Sequence, residues 1–351
     1  AELAALIGSQ TALSNRNMVI NGAMTVAQRG DVTGITNPGV YGGADRFGTN
    51  GSSFGTVSLV QEADAPEEFA YSQRVKFTTA RSTTNTSDHF ALGTRLEGQN
   101  LQHLNKGTSN AKSLTVSFYA KASQSTTIQL ELYDADNSPH AVEEFAITTS
   151  WAKYSYTFVG DTTGAFDNDN ALSLYVFFWL GAGTDFTSGT NPDGSWISNT
   201  NTRRVHSDVG TTFMDTLNAE FNLTGVQLEV GEQKTPFEHE DYGTTLRKCQ
   251  RYFCKSYDSD TAVGTATSNG RIYFILGGPT TVLNKGDYVP WPVEMRATPT
   301  VVGYNDAGTS GQFNGSLTFN TVLTAKRGTN AYAAATSAVE IHGHITAEAE
   351  L

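Results

Sequence analysis

The chain has 351 residues and a net charge of −12; 38% of its residues are hydrophobic, 11% aromatic and only 17% charged. That length exceeds one ordinary domain, and the aromatic content is too high for a disordered chain. The acidic balance, with no basic block carrying interleaved aromatics, argues against nucleic acid as a partner, and no apolar run reaches the roughly 18–20 residues that membrane insertion needs.

Residues 1–14 carry a weak helical pattern, with Leu3, Leu6 and Ile7 on one face before Gly8-Ser9 interrupts it. A segment that short does not fold alone. It reads either as an attachment or oligomerisation arm or as a frayed terminus. The opening AELAALIGSQ lacks the basic region of a secretion signal, so synthesis in a cytoplasm without export is expected.

From Asn15 the pattern turns to strands: Met18, Ile20 and Ala23 lead through Asn21-Gly22 into Met24 and Val26. A Gly-rich loop over 31–45 ends at Ala44-Asp45-Arg46-Phe47, and strands are expected at 56–61, 71–78 and 90–96. Residues 113–123 alternate, with Leu114, Val116 and Phe118 to one face and Thr115, Ser117 and Tyr119 to the other. Residues 126–136 do the same, Ile128, Leu130 and Leu132 against Gln129, Glu131 and Tyr133. Strands at 150–158 and 171–180 follow. The second is apolar on both faces, which suits a central strand buried on one side and covered or ligand-facing on the other. A polar loop fills 181–212, a length that points to function or to packing on a partner. Residues 221–230 close the module. Turn signals at short spacing and no helices between strands predict antiparallel sheets, hence a jelly-roll β-sandwich.

A helix is expected over 244–255, with Leu246, Cys249 and Phe253 as one apolar stripe that docks on another domain or subunit. Cys249 and Cys254, separated by QRYF, match neither a disulfide framework nor a zinc spacing and read as reduced thiols on that helix. Strands resume at 271–276, 289–294, 300–304, 312–323, 331–334 and 339–349, with Pro292 and Pro299 at strand margins. The expected class is therefore all-β: an antiparallel jelly-roll β-sandwich followed by a smaller C-terminal β-sandwich. The predicted division is an N-terminal arm (1–14), the jelly roll (15–240), a linker helix (241–256) and a C-terminal β domain (257–351).

Read as a series, several motifs resemble a phage tail-fibre family. NRNMVINGAMTVAQRG (15–30) is similar to its opening RN-INGxM-AQRG; ADRF (44–47) stands where the family has DRW, with Phe47 for Trp. LTVSFYAKAS resembles TLSFWAKAS, with Tyr119 at the usual Trp, and SWAKYSYTF resembles TWKKYSYTF. LTGVQLEVGEQKTPFE, LRKCQRYF and PVEMRATPTVVGY complete the series in order, so the resemblance covers about 15–304. It implies a carbohydrate-binding-module-like jelly roll, a small C-terminal β domain and a trimeric virion fibre or appendage.

A sugar-binding sheet face needs aromatic platforms and a few polar side chains. Alternation puts Tyr175, Phe177 and Trp179 on one strand face, with Tyr119, Gln129, Glu131 and Tyr133 on comparable faces of other strands. Two readings are open: a concave glycan-contact surface, or core and inter-subunit packing. Trp196 in the long loop is either an exposed contact or a lid over the sandwich. His342 and His344 leave one strand face, and in a trimer six imidazoles would meet and suit Fe, Ni or Zn; the alternative is a pair of exposed strand histidines. Asn21, carbonyls near Gly22, and Glu229 would be oxygen ligands for a structural Ca²⁺, although no acidic cluster accompanies them. No other cofactor is expected. Glu67-Glu68 and Glu143-Glu144 are adjacent pairs that diverge, and no nucleophile elbow, HExxH or phosphate loop is present, so no enzyme is expected.

The sequence therefore points to a non-enzymatic virion protein, assembled in the host cytoplasm. It would be a homotrimeric tail fibre or fibre-like appendage that joins other tail proteins through its N-terminus and contacts a host surface glycan. The alternative is a purely structural tail adaptor or head-decoration protein without receptor contact. A secreted carbohydrate-binding module is a third reading, disfavoured by the missing signal peptide.

Overall fold

The structure is a computed structural model, and it describes residues 15–82, 85–191, 193–275, 283–313, 317–335 and 340–351. The arm residues Leu3, Leu6 and Ile7 lie outside the described residues. Two compact units are present: one holds residues up to Thr25, Asp31–Glu240 and Leu351, the other Val26–Gly30 and Asp241–Glu350. Both are built from antiparallel strands, as the alternation and turn spacing predict.

The first unit contains β1 (Val32–Ile35), β2 (Gly48–Ser52), β3 (Thr56–Glu62), β4 (Ser72–Thr79), β5 (His89–Glu97), β6 (Leu114–Ala122), β7 (Thr126–Asp134), β8 (Pro139–Ile147), β9 (Ala152–Phe158), β10 (Leu172–Ala182), β11 (Ile197–Ser198) and β12 (Glu220–Val230). They form two six-stranded sheets, ordered β1-β3-β4-β12-β6-β9 and β11-β8-β7-β10-β5-β2. One apolar core draws on both: Leu59, Val75, Val116 and Phe118 from the first sheet, Leu92, Leu130, Val176 and Phe178 from the second. This is the jelly-roll sandwich. Burying such side chains is the main driving force for the fold, about 1.5–3 kcal/mol for each fully buried large apolar group.

The stretch from Asn15 is a run of turns rather than the expected strand. Asn15, Asn21 and Met24 have positive φ, which breaks a strand's extended backbone. Its polar groups bond to distant partners instead of a ladder: the Asn17 side chain accepts from Leu228 N at 3.1 Å and donates to Val226 O at 3.0 Å. Strands β1, β2 and β8 were not expected. β2 reads GTNGS, which carries no apolar alternation.

Gly225 explains part of the TGVQLE motif. The β12–β6 register shifts between Thr224 and Gln227, and Gly225 sits in that bulge at φ +60°. A Cβ there would fall 2.7 Å from Phe69 Cζ and 2.9 Å from Tyr119 Cδ2. Gly225→Ala is expected to cost about 1–3 kcal/mol, by left-handed strain plus overlap. Chemical denaturation would read it as a lower midpoint, and an unchanged midpoint would refute the bulge as the reason for glycine.

A lysine closes one end of this sandwich. Lys106 is buried, and its Nζ donates to Thr163 O at 2.9 Å and Gly164 O at 2.8 Å. It lies 2.9 Å from Asp161 Oδ2 and also pairs with Asp134, whose carboxylate is fully buried.

In the second unit the helix spans Tyr242–Gln250, its first turn capped by Asp241 Oδ1, which accepts from Thr244 N at 3.0 Å. It stops short of the expected end because β13 (Phe253–Lys255) pairs with β20 (Glu340–Glu348). Cys249 is therefore helical but Cys254 is on a strand; both are buried, neither forms a disulfide, and burial pushes the Cys254 thiol up to about 12. Between them run β14 (Ile272–Ile275), β15 (Leu283–Pro290), β16 (Thr300–Tyr304), β17 (Gln312–Phe313), β18 (Leu317–Ala325) and β19 (Gly328–Ala335). β20 carries β13, β14 and β16, while β15-β19-β18-β17 form a second sheet. The strand expected at 289–294 ends at Pro290, and Pro292 has no N–H to extend a ladder. Of the predicted stripe, Cys249 and Phe253 are buried and Leu246 is half-buried; the Arg29 guanidinium packs 3.9 Å over the Phe253 ring.

Candidate functional site

The second sheet of the first unit has a polar and aromatic outer face. Its centre is β10, whose inner residues Val176 and Phe178 enter the core while Tyr175, Phe177 and Trp179 point outward. Register places Tyr175 between Tyr133 and Arg95, Phe177 between Glu131 and Gly93, and Trp179 between Gln129 and Ala91. The face thus has two ends.

At the Trp179 end the segment after β10 folds back. Phe186, Val205 and Val209 pack with Trp179 and Phe177 as a satellite apolar cluster. The segment is fastened by two buried side chains. The Gln129 amide donates to Arg204 O at 2.6 Å, and its oxygen accepts from His206 N at 2.6 Å. Glu131 accepts from Arg204 Nε at 2.9 Å and Nη2 at 2.8 Å, from Trp179 Nε1 at 2.9 Å, and lies 3.1 Å from His140 Nδ1. Burial alone would raise the Glu131 pKa, but the Arg204 charge and the bonds from His140 and Arg204 outweigh it and hold the group at about 2. This is an anchored strap, not a free loop.

At the Tyr175 end the face stays open. Asn50, Arg95, Tyr133, Tyr175, Phe177 and Arg204 line a cleft of about 150 Å³. Tyr133 and Tyr175 pack with centroids 5.6 Å apart, Tyr175 and Phe177 at 4.7 Å. Arg204 reaches in from the strap with its guanidinium 5.1 Å from the Tyr133 centroid. The cleft therefore offers aromatic faces, two guanidinium groups and one amide, which is the chemistry of a polar-ring binder.

The residues expected to form one surface are divided by this arrangement. Tyr175 is half-buried in the cleft; Gln129, Glu131 and Trp179 are fully buried beneath the strap, because their polar atoms are consumed in fastening it. They support the cleft from behind instead of meeting a ligand. Tyr119 lies on the other sheet, against Phe69 at 5.4 Å and under Lys153. Trp196 is half-buried at the sandwich edge, packs against the core and donates to Val159 O at 2.9 Å. Asn50, Arg95 and Arg204 escaped the sequence reading. Arg95 carries the signal of a lone cation in the strand HFALGTRLE, whereas Arg204 arrives from a segment whose local sequence gives no such signal.

The metal candidates part as well. His344 is fully buried and stacked 3.8 Å from Tyr257, with Nε2 3.0 Å from Thr267 O and Nδ1 3.4 Å from Ser256 Oγ. Its ring nitrogens face protein partners, so it does not present a lone pair to an ion. His342 lies 3.3 Å from Asp306, which Arg271 also holds at 2.8 Å. Glu229 accepts from Gln227 Nε2, Thr235 N and the Thr235 hydroxyl, and Asn21 donates to Asp45 O. Protein donors thus occupy the carboxylate considered for Ca²⁺. A different set, Glu144, His206 and Asp208, brings three ligand atoms within 4.8 Å of one another at the surface.

A second groove of about 240 Å³ crosses the outer face of the first sheet, lined by Glu62, Asp64, Arg74, Lys121 and Glu220 among others. Its charges are spent on each other: Arg74 on Glu62 at 2.7 Å, Lys121 on Asp64. It lacks an aromatic floor, which makes the Tyr175 cleft the stronger candidate.

No protein-family model matches the chain, and no curated protein matches it. Among solved structures it is similar to the enzymatically active domain of bacteriophage CBA120 tailspike protein 4 (10% identity, TM-score 0.32), over 61% of this chain and 21% of that one. The chain therefore spans about a fifth of the tailspike domain. It is also similar to a family 11 carbohydrate-binding module from Clostridium thermocellum in complex with a β-1,3-1,4-mixed-linked tetrasaccharide (13% identity, TM-score 0.30, 58% of this chain and 98% of that one). A third is TmCBM61 in complex with β-1,4-galactotriose (13% identity, TM-score 0.31, 62% and 99%).

Proposed function

We propose that the chain is a non-enzymatic attachment protein of a virion, a homotrimeric tail fibre or fibre-like appendage, whose first β unit grips a host surface glycan in the Tyr175 cleft. The collinear motif series over 15–304 supports the virion setting. The observation that carries the binding reading is the open aromatic cleft, floored by Tyr175 and Phe177 and rimmed by Asn50, Arg95 and Arg204. Stacking on an aromatic face plus a few directed polar groups is how a shallow site holds a sugar ring. Several copies on one particle would convert weak single contacts into stable adsorption. Residues 1–14 keep the role of joining the particle.

The test is a host-adsorption assay with purified protein alongside light scattering. Binding to host cells or their extracted polysaccharide is expected, from a particle of three 37.7 kDa chains. Tyr175→Ala removes a platform worth about 0.5–1.5 kcal/mol beyond its area, so binding should weaken by about tenfold, and a melting curve on the variant separates that lost contact from the packing lost against Tyr133 and Phe177. A protein that binds virion partners but no host glycan would sink this reading in favour of a structural adaptor.

A further inference from the structure

We infer that the Tyr175 cleft selects an anionic sugar, a carboxylate-bearing ring of the uronic acid class, with Arg95 as the residue that reads the charge. This rests on the glycan reading above and narrows it. The cleft is an electrostatic exception. The chain carries a net charge of −12, yet the cleft lining contains two guanidiniums and no carboxylate.

The two arginines are not equivalent. Arg204 already has its counter-charge in the bidentate pair with buried Glu131. Arg95 has none: among the described residues no carboxylate pairs with it. Its guanidinium donates to the Tyr41 hydroxyl and stands amid three rings, with centroids 5.6 Å (Tyr41), 5.5 Å (Tyr175) and 5.7 Å (Phe177) away. Those rings hold the planar group in place and remove part of its water. A half-buried cation without an anion is an unfavourable resting arrangement, and a ligand that supplies the anion recovers that cost. A carboxylate matches the guanidinium fork with parallel hydrogen bonds, and the sugar ring that bears it would lie against Tyr175. A neutral ring gains the stacking but not the charge.

The experiment compares matched polymers: polygalacturonate, alginate, hyaluronate and polysialic acid, each against its own carboxyl-reduced neutral form, with the intact protein in affinity electrophoresis at low and high salt. At least one acidic polymer should bind about 10- to 100-fold tighter than its reduced partner, the range expected for hydrogen bonds to a charged group. That preference should shrink with salt, vanish in Arg95→Gln and survive in part in Arg95→Lys. Melting curves on both variants separate a lost contact from a lost fold. If a neutral polymer binds as well as its acidic parent, and Arg95→Gln does not change it, the anionic assignment is overturned while the glycan cleft stands. If no polymer of either kind binds, both readings fall.

Discussion

Lys106→Met is expected to destabilise the first β unit by about 3–5 kcal/mol, the cost of breaking a buried ion pair by removing one partner. Methionine keeps most of the stem's length and apolar packing, so the loss isolates the charge. It leaves the Asp134 and Asp161 carboxylates, both almost wholly buried, without their cation, and leaves two carbonyls without a donor. Equilibrium urea unfolding would measure it as a lower midpoint at constant slope. Adding Asp161→Asn to the variant should restore part of the loss, since one uncompensated charge is removed. A change under about 1 kcal/mol, the level of an exposed pair, would mean the cluster is solvated and structurally idle.

Glu131→Gln should be comparably costly, about 3–5 kcal/mol, because it strips the counter-charge from Arg204 in a buried setting. The effect has a pH signature. The folded state holds Glu131 at about 2 against the usual 4.5. A depressed carboxyl stabilises the fold fully above 4.5 and loses that contribution as pH falls through about 2. At about 1.4 kcal/mol per pH unit the interval amounts to roughly 3 kcal/mol. Wild-type stability should therefore fall between pH 4.5 and 2, and the Gln variant should be flatter there. Parallel curves for the two proteins would show that another group governs acid unfolding. The strap should also loosen in the variant, with amide exchange rising at His206 and Val205 before the core strands respond.

Much of the architecture was legible because one-sided burial imposes a two-residue period. Leu114, Val116 and Phe118, and Ile128, Leu130 and Leu132, announced their faces correctly, and the doubly apolar run at 171–180 foretold a strand buried on one side and covered or ligand-facing on the other; it is covered at the Trp179 end and open at the Tyr175 end. What escaped has physical reasons. β2 lies at a sheet edge with Gly and Asn where a buried strand would have branched residues. The turns at 15–29 carry strand-like apolar spacing, but their side chains reach a core from a backbone with left-handed kinks. At the site, alternation placed Tyr175 and Trp179 on one face and could not say which would be roofed. That depended on Gln129 and Glu131 bonding a segment some seventy residues further on. The separation of Tyr119 from Tyr175 follows from sheet order, which periodicity does not encode.

The strap gives the cleft two unequal ancestries. Asn50, Arg95, Tyr133, Tyr175 and Phe177 stand on strands whose opposite faces belong to the core, so most changes there disturb folding as well as contact. Arg204 alone comes from the strap, which is held by the Gln129 and Glu131 bonds and by the apolar cluster of Phe186, Val205 and Val209 rather than by the sandwich interior. A change at Arg204 would redraw one wall of the cleft but leave the buried Glu131 carboxylate without its cation, so that wall too is tied to the stability of the fold. The cleft thus has a wall set by one buried ion pair and a floor set by the strands beneath it.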